Sequence, residues 1–429
     1  MKKIVSLVLA VIMLLSVCAF ASAEDKPYAG VTLNVLGNSS TPSTFMQEHL
    51  AEFEAETGIK VNYEQLTNDQ LNTKILVSMA GGGSDLDVYM YMAYQNTKMY
   101  VQNGWLEPLD SYITDDFDVA DFLESGITMS SVDGKLYGVP HGSEYTLIFY
   151  NKTMIEEAGI DVNAIKTYDD LLEACKTVEE KLPGIHGIAL RGQGNGSVTI
   201  VICVARAYGG DYFDANGSAA INSEAFCKGV EMYRNLLQYA QEGSSTMSWS
   251  ETCNVFAQKQ TAFRMDSDAQ YPYLIDPSSS LVSSDELGFF ALPAGDAGQA
   301  TTCGNWSIGI SYGSKNKEAA WEFIRWMNSK EACLKLAQEQ GGVIARASVL
   351  ADDEIMAKYP AGYADVIKAS AKIATGGALP NMTYSSEART ALGEALDAIY
   401  AGDDIQSNLD EASAVMQELL DQEAEEKAE

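Results

Sequence analysis

The sequence predicts an α/β protein, because strand-like runs alternate with helical runs from the start of the chain. Residues 31–36 form the first predicted strand, residues 43–56 a helix and residues 59–63 a second strand. This alternation is typical of βαβ units, in which helices cover a parallel sheet. A chain of 429 residues, of which 46% are hydrophobic, has enough apolar material for more than one packed core.

The helices are predicted from their apolar stripes and their end signals. In the first helix Phe45 and Phe53 share one face, and Gly58 follows as a stop signal. Thr167 is a predicted N-cap because two aspartates follow it in the first turn. The acidic tail, residues 421–429, is expected to fray. The further predicted helices are residues 69–80, 167–181, 317–328, 330–339, 353–359, 362–372, 386–401 and 405–420, and the further strands are residues 86–92, 146–150 and 185–190.

The N-terminal segment has the pattern of an export signal. Two lysines precede an apolar run, residues 4–17, and small residues follow it. We expect a signal peptide over residues 1–23, cleavage after Ala23, and a mature protein in the periplasm or at the cell surface. The apolar run is too short to span a bilayer comfortably. Lipid attachment at Cys18 is the alternative, but Val17 fits the pattern before a lipidated cysteine poorly.

The charge balance excludes whole classes of partner. The chain has 28 basic and 60 acidic residues, a net charge of −32, and would repel nucleic-acid phosphates and anionic membrane surfaces. We therefore expect no nucleic-acid partner. The three histidines are scattered, and the six cysteines after the export signal never show CxxC spacing, so no metal site is expected. Disulfides and buried free thiols both remain open for these cysteines.

No motif for catalysis or cofactor binding is found. Residues 81–83 are glycines but lack the lysine of a phosphate-binding loop, and the glycines within residues 192–196 do not have dinucleotide-binding spacing. We expect no cofactor and no enzymatic activity. The alternative is a secreted glycan hydrolase in which cleft carboxylates such as Glu144 and Asp266 act as acid and base.

Several short segments, each weak alone, follow one another in a specific order and spacing. They are residues 53–61 (FEAETGIKV), 76–87, 103–110 (NGWLEPLD), 133–140 (DGKLYGVP), 149–152 (FYNK), 157–161 (EAGID), 167–171 (TYDDL), 292–295 (LPAG) and 314–324 (SKNKEAAWEFI). Through these segments the chain resembles the extracellular solute-binding proteins of bacterial ABC importers, in the carbohydrate-binding family that includes maltose-binding protein.

This resemblance implies a two-lobed periplasmic-binding-protein fold of type II. The ligand would lie in the cleft between the lobes, and a hinge of three crossovers would let the lobes close on it. Carried onto this chain, lobe 1 is residues 24–139 plus 266–302, and lobe 2 is residues 140–265 plus 303–429. The resemblance further implies a monomer that binds a sugar or polyol and delivers it to the membrane permease subunits of an ABC transporter.

The resemblance places the three crossovers near residues 139–140, 264–265 and 303–304. Segments near them are similar to the sorbitol/mannitol-type branch of that family, namely residues 141–145 (HGSEY), 191–192, 208–214 (YGGDYFD), 265–267, 305–306 and 341–348 (GGVIARAS). A polyol site needs charged hydrogen-bonding partners and an aromatic platform. The fork of Arg191 is expected to hold two adjacent hydroxyls, and Trp306 to cover the apolar face. His141 replaces an aromatic residue of that branch, which leaves the exact ligand open. The ligand-binding candidates are Ser39, Ser40, Asp87, Glu144, Arg191, Asp266, Trp306 and Arg346.

For each of these candidates a structural role is the competing interpretation. Arg191 could form a salt bridge on the acidic surface, and Asp266 could cap a helix. Glu144 could make a hydrogen bond within the hinge, and Asp87 could hold its own loop.

Overall fold

The structure is a computed structural model that describes residues 26–83 and 85–428. The predicted export signal, including Cys18 and Ala23, lies outside the described residues. In these two ranges no helix has the length and apolar character needed to cross a membrane. The strands are β1 (Thr32–Asn38), β2 (Lys60–Leu66), β3 (Val88–Met92), β4 (Ser131–Val132), β5 (Lys135–Leu136), β6 (Val139–Asn151), β7 (His186–Ala189), β8 (Thr261–Ser267), β9 (Leu287–Ala291), β10 (Ala294–Gly295), β11 (Gly298–Gln299), β12 (Thr301–Ile310) and β13 (Ala374–Gly377).

Helices surround these strands and dominate the last third of the chain. They are α1 (Thr41–Glu48), α2 (Leu50–Thr57), α3 (Asn68–Ala80), α4 (Ala93–Gln102), α5 (Glu124–Met129), α6 (Lys152–Glu157), α7 (Tyr168–Lys181), α8 (Gly194–Ala207), α9 (Glu224–Leu237), α10 (Trp249–Ala257), α11 (Tyr271–Ile275), α12 (Lys317–Met327), α13 (Lys330–Glu339), α14 (Ala347–Leu350), α15 (Asp353–Met356), α16 (Tyr363–Ile373), α17 (Ser385–Ala401) and α18 (Ile405–Ala428). Short 3-10 helices cover Asp115–Phe117, Val119–Asp121, Val162–Ala164, Ser244–Thr246 and Asp268–Gln270.

The predicted helices and strands are present in the structure, although many begin or end at other residues. Two predictions are wrong, those for the first helix and for the C-terminal tail. The N-cap at Thr167 is confirmed, since its side chain accepts a hydrogen bond from the Asp170 backbone N–H. The first predicted helix is two helices, because the backbone leaves helical geometry at His49. Residues 421–428 of the expected frayed tail are instead helical: α18 continues to Ala428, and Glu423 within it pairs with Lys98 at 2.7 Å.

The central sheet is mixed, so the predicted parallel sheet is only partly right. Its order is β2-β1-β3-β12-β6-β8-β7, with β9 also pairing with β6 and β13 with β12. The pairs β1–β2, β1–β3, β7–β8 and β12–β13 are parallel, whereas β12 runs antiparallel to both β3 and β6. The long strands β6 and β12 lie side by side at the centre and continue from one lobe into the other.

Two large hydrophobic cores correspond to the two lobes. The first contains Leu33, Phe53 and Val88, on the side of β1 and β3. The second contains Ile188 and Val201, on the side of β7 and β8, and includes residues of α17 and α18. A smaller third core lies beside the second lobe and joins β6, β9, α10 and α16.

The predicted division of the C-terminal half between the lobes is wrong. Ile308 and Phe323 belong to the first core, although residues 303–429 were all expected in lobe 2. Conversely, residues 266–302 were expected in lobe 1, but β9 pairs with the C-terminal half of β6, beside the second lobe. The reason is the direction of β12, which carries the chain back towards the first lobe, where α12 then packs.

Candidate functional site

A cavity of about 1040 Å³ lies where the two lobes face each other. Its first wall contains Ser39 and Ser40, which follow the end of β1. Its floor contains Glu144 and Trp306 from the central strands, and its second wall contains Arg191. Five of the eight predicted ligand-binding residues therefore line one cavity.

The central strands position Glu144 and Trp306. Glu144 lies opposite Gly304 across β6 and β12, and a Cβ at that glycine would lie only 3.0 Å from the Glu144 Cγ. The Ser267 hydroxyl donates a hydrogen bond to the Glu144 carboxylate. Burial raises the pKa of Glu144, and the Ser267 hydrogen bond and Arg191 offset this only in part. Trp306 lies between Met92 and Gly142 in the sheet, packs partly against the first core and also lines the cavity.

The guanidinium of Arg191 is held from behind by Asp266. Its Nε donates to one Asp266 oxygen at 2.9 Å, and its Nη2 donates to the other. Its Nη1 donates to the Gly196 carbonyl at 3.1 Å and to the Thr199 hydroxyl at 3.2 Å. Within the described residues these bonds use four of its five N–H groups. One N–H therefore remains for a ligand, whereas a fork that holds two ligand hydroxyls needs two.

Asp266 was predicted to bind ligand, but it is fully buried beneath Arg191 and does not line the cavity. Its Oδ2 also lies 3.1 Å from the Nη2 of Arg264, another fully buried guanidinium. Burial opposes the ionisation of Asp266, but the two guanidiniums outweigh it and lower the pKa of Asp266 below its ordinary value. Asp266 therefore orients Arg191 instead of touching a ligand.

Asp87 and Arg346 also lie outside the cavity. Asp87 accepts hydrogen bonds from the Asn34 backbone at 2.9 Å and the Asn316 amide at 3.2 Å, so it ties β1 to the loop before α12. Arg346 is buried, donates to the Asn328 carbonyl at 2.9 Å and pairs with Asp121 at 3.2 Å. Both side chains make their hydrogen bonds to other parts of the protein. This is the structural role that the sequence analysis set against ligand binding.

The two serines stand at the end of β1, at the edge of the cavity. Ser40 caps α1 by accepting a hydrogen bond from the Ser43 backbone N–H at 3.4 Å, and its hydroxyl donates to the Asn38 side chain at 2.6 Å. The Ser39 hydroxyl donates to the Leu66 carbonyl at 3.0 Å. Each hydroxyl oxygen keeps lone pairs that can accept from a ligand.

Sequence reasoning missed several lining side chains. Trp249 begins α10, Tyr273 lies in α11 and Arg389 in α17. His141, only weakly suggested by the sequence, also lines the cavity; its Nδ1 contacts the Asn328 side chain, and burial lowers its pKa. The sequence carried no signal that places Trp249 at a cavity, because Ser248 and Glu251 mark only the start of a helix and not what that helix faces.

The arrangement does not suit acid–base catalysis by the pair suggested for a hydrolase. Glu144 faces the cavity, but Asp266 is shielded behind Arg191 and held by two guanidiniums. A glycosidase needs both carboxyl groups beside one scissile bond. Among the described residues no group of acidic, histidine or cysteine side chains is arranged to hold a metal ion.

The six described cysteines, at positions 175, 203, 227, 253, 303 and 333, are free thiols in the structure. Four of them are fully buried, and burial raises the pKa of Cys303 to about 12. The sequence left both disulfides and buried free thiols open for these six cysteines, and in the structure they are free thiols.

Comparisons with known proteins agree with this architecture. The chain is 27% identical over 357 residues to a probable amino-acid ABC transporter periplasmic-binding protein of Sinorhizobium fredii, covering 79% of this chain and 78% of that protein. It is 26% identical over 295 residues to a mannitol-binding protein of Pseudomonas aeruginosa, covering 68% of this chain and 66% of that protein.

A solved structure shares the fold. It is an ABC transporter solute-binding protein from Agrobacterium radiobacter in complex with ribitol, with a TM-score of 0.81 and 24% identity, and the match covers 91% of this chain and 99% of that one. The family profile described as bacterial extracellular solute-binding protein matches residues 37–332, more than half of the chain. The chain therefore belongs to the bacterial extracellular solute-binding protein family.

Proposed function

We propose that this protein captures a carbohydrate, a sugar or polyol, and delivers it to the permease of an ABC transporter. The observation that carries the proposal is the interlobe cavity in which a half-buried tryptophan, Trp306, lies beside the charged groups of Glu144 and Arg191. Two similar proteins support a carbohydrate ligand: one is named as a mannitol-binding protein, and the other was solved in complex with ribitol.

The lining groups match the chemistry of a polyol. Glu144 accepts hydrogen bonds from hydroxyls, and the remaining Nη2 hydrogen of Arg191 donates to one. The hydroxyl oxygens of Ser39 and Ser40 accept hydrogen bonds from ligand hydroxyls, because their own hydrogens are donated to Leu66 and Asn38. Trp306 covers the weakly apolar CH face of the ligand. These groups come from both lobes and from the strands between them, so a ligand that bridges them favours the closed cleft.

The protein acts as a monomeric binder that releases its ligand unchanged to the membrane permease subunits. Its N-terminal residues 1–23 serve as the export signal, cleaved after Ala23, and the mature protein works in the periplasm or at the cell surface. The alternative, a glycan hydrolase, is disfavoured by the position of Asp266 behind Arg191.

A thermal-shift screen tests this proposal. Polyols, monosaccharides, oligosaccharides and amino acids are each added to the purified protein, since a ligand that binds only the folded state raises the melting temperature. We expect a shift with at least one carbohydrate and no product after prolonged incubation. A shift with amino acids alone would assign the ligand class of the Sinorhizobium relative instead, and product formation would make the protein an enzyme.

A further inference from the structure

Two aromatic side chains at the rim of the cavity remain unused by the proposed site. Trp249 is 38% exposed and Tyr273 is 40% exposed, and we call these two residues the outer aromatic pair. Both line the same cavity as Trp306. Large exposed aromatic groups that share a concave surface mark a binding region more often than isolated ones do. The cavity therefore offers aromatic surface beyond Trp306.

The outer aromatic pair is fixed in place relative to the inner site. The Tyr273 hydroxyl donates to the Asn254 side chain, which lies in α10 together with Trp249. The Thr252 hydroxyl contacts the Trp249 carbonyl at 3.2 Å and the Asp266 carboxylate at 3.3 Å. Since Asp266 also holds Arg191, the start of α10 and the inner site share one buried anchor. A platform held in this way loses little conformational freedom when a ligand binds.

The polar groups near the outer aromatic pair are uncharged. Asn254 and Ser250 line the cavity from α10, and Gln340 lines it from the end of α13. The charged lining residues among those described are Glu144, Arg191 and Arg389. Neutral amides and hydroxyls beside aromatic rings suit the hydroxyl and CH groups of a sugar ring.

The cavity is also large for a single sugar unit. A hexitol has twelve non-hydrogen atoms, and at no more than the roughly 30 Å³ that a water molecule occupies per atom it needs at most about 360 Å³. The cavity holds about 1040 Å³. Part of this volume disappears when the cleft closes, but α10 and α11, which carry the outer aromatic pair, both pack in the third core, so the two rings keep their place relative to each other.

We propose that the outer aromatic pair forms a second sugar-binding subsite, so that the ligand is a glycosidically linked chain of two or more sugar units. One unit lies on Trp306 beside Glu144 and Arg191, and the next lies on Trp249 and Tyr273. This inference rests on the proposed carbohydrate-binding function and narrows its ligand class.

Titration calorimetry with matched probes tests the inference. The probes are glucose with its α-1,4 and β-1,4 di- and trisaccharides, arabinose with its α-1,5 oligomers, and mannitol as a single-unit polyol. We expect at least one oligomer to bind about tenfold or more tightly than its own monomer. If monomers or mannitol bind and no oligomer binds more tightly, the second subsite is wrong while the proposed function stands. If no carbohydrate binds, both are wrong.

Variants separate the two subsites. Trp249→Ala and Tyr273→Ala should each weaken oligomer binding by roughly tenfold and leave monomer binding unchanged. Tyr312→Ala is the matched control, because Tyr312 is a 57% exposed aromatic outside the cavity. Melting temperatures without ligand should change by no more than a few degrees in any of the three variants. Equal losses for monomer and oligomer, or no loss for the oligomer, would overturn the subsite.

Discussion

The buried charges beneath the cavity make Asp266 the most informative position to perturb. Its carboxylate contacts two guanidiniums, those of Arg191 and Arg264. Arg191 is only 8% exposed and Arg264 is fully buried, and the Nε and Nη1 of Arg264 have no hydrogen-bond partner among the described residues. Asp266→Asn therefore leaves two buried cations without their counter-charge.

The expected loss is large for a single substitution. Removing one partner of a buried ion pair costs about 3–5 kcal/mol, because the remaining charge is uncompensated. We expect the free energy of unfolding of Asp266→Asn to fall by about this amount in urea titrations. Carbohydrate binding should weaken as well, measured where the variant is still folded, because Arg191 loses the partner that orients it.

The control is Asp285→Asn, which makes the same chemical change at an exposed position. Its free energy of unfolding should stay within about 0.5 kcal/mol of the parent. If Asp266→Asn loses less than about 1 kcal/mol, with an unchanged denaturant slope, the buried charges are not coupled as described.

The pH dependence of stability offers a second readout of the same carboxylate. The pKa of Asp266 is lowered from its usual 3.8 in the folded protein, since the attraction of Arg191 and Arg264 outweighs the effect of burial. Its stabilising contribution is therefore present above about pH 4 and is lost as the pH falls through the lowered folded-state pKa. In Asp266→Asn this part of the acid sensitivity should be absent.

Three further outcomes are expected. Trp306→Ala should weaken carbohydrate binding about tenfold or more, as measured by calorimetry, with little change in melting temperature; a large melting loss instead would assign Trp306 to the core. Saturating ligand should close the cleft and reduce the radius of gyration in small-angle scattering, so identical curves with and without ligand would contradict hinge closure. Burial raises the pKa of Asp268 to about 7, so its stabilising contribution is full below about pH 4 and is lost as the pH rises through 7. Asp268→Asn should remove that part of the decline, while the raised pKa of Glu144 contributes a decline of the same sign that the variant keeps. Parallel stability curves for variant and parent would show that Asp268 does not titrate in this range.

Local chemistry determined much of the secondary structure. The hydroxyl of Thr167 and the following Asp170 form a capping box at the start of α7, as the spacing predicts. Gly58 adopts a φ of 73° at the end of α2, a left-handed conformation that a glycine reaches without strain. Such signals involve residues a few positions apart, so they can be read from the chain alone.

The site was only partly predictable. The ends of strands can be inferred from the sequence, whereas the side chains that will contact each other in the folded protein cannot. Ser40, Glu144 and Trp306 were found from their places near predicted strands and crossings, and all three line the cavity. Asp266 lies directly behind the cavity, where it contacts Arg191 and does not line the cavity itself. Its partner Arg191 is 75 residues away, and only the parallel pairing of β7 with β8 brings the two together.

The sequence by itself determined the α/β class, the likeness to solute-binding proteins, and closely the bounds of some helices, such as α7, α12 and α13. It did not predict α4, α8, α9 or α10. The tertiary structure decided the lobe to which each C-terminal segment belongs, the outer position of Trp249, and which charged groups face a ligand. The physical reason is that a hydrophobic stripe or a carboxylate specifies what kind of partner it needs but not which one. That choice is made when β12 inserts between β3 and β6 and the lobes pack around it.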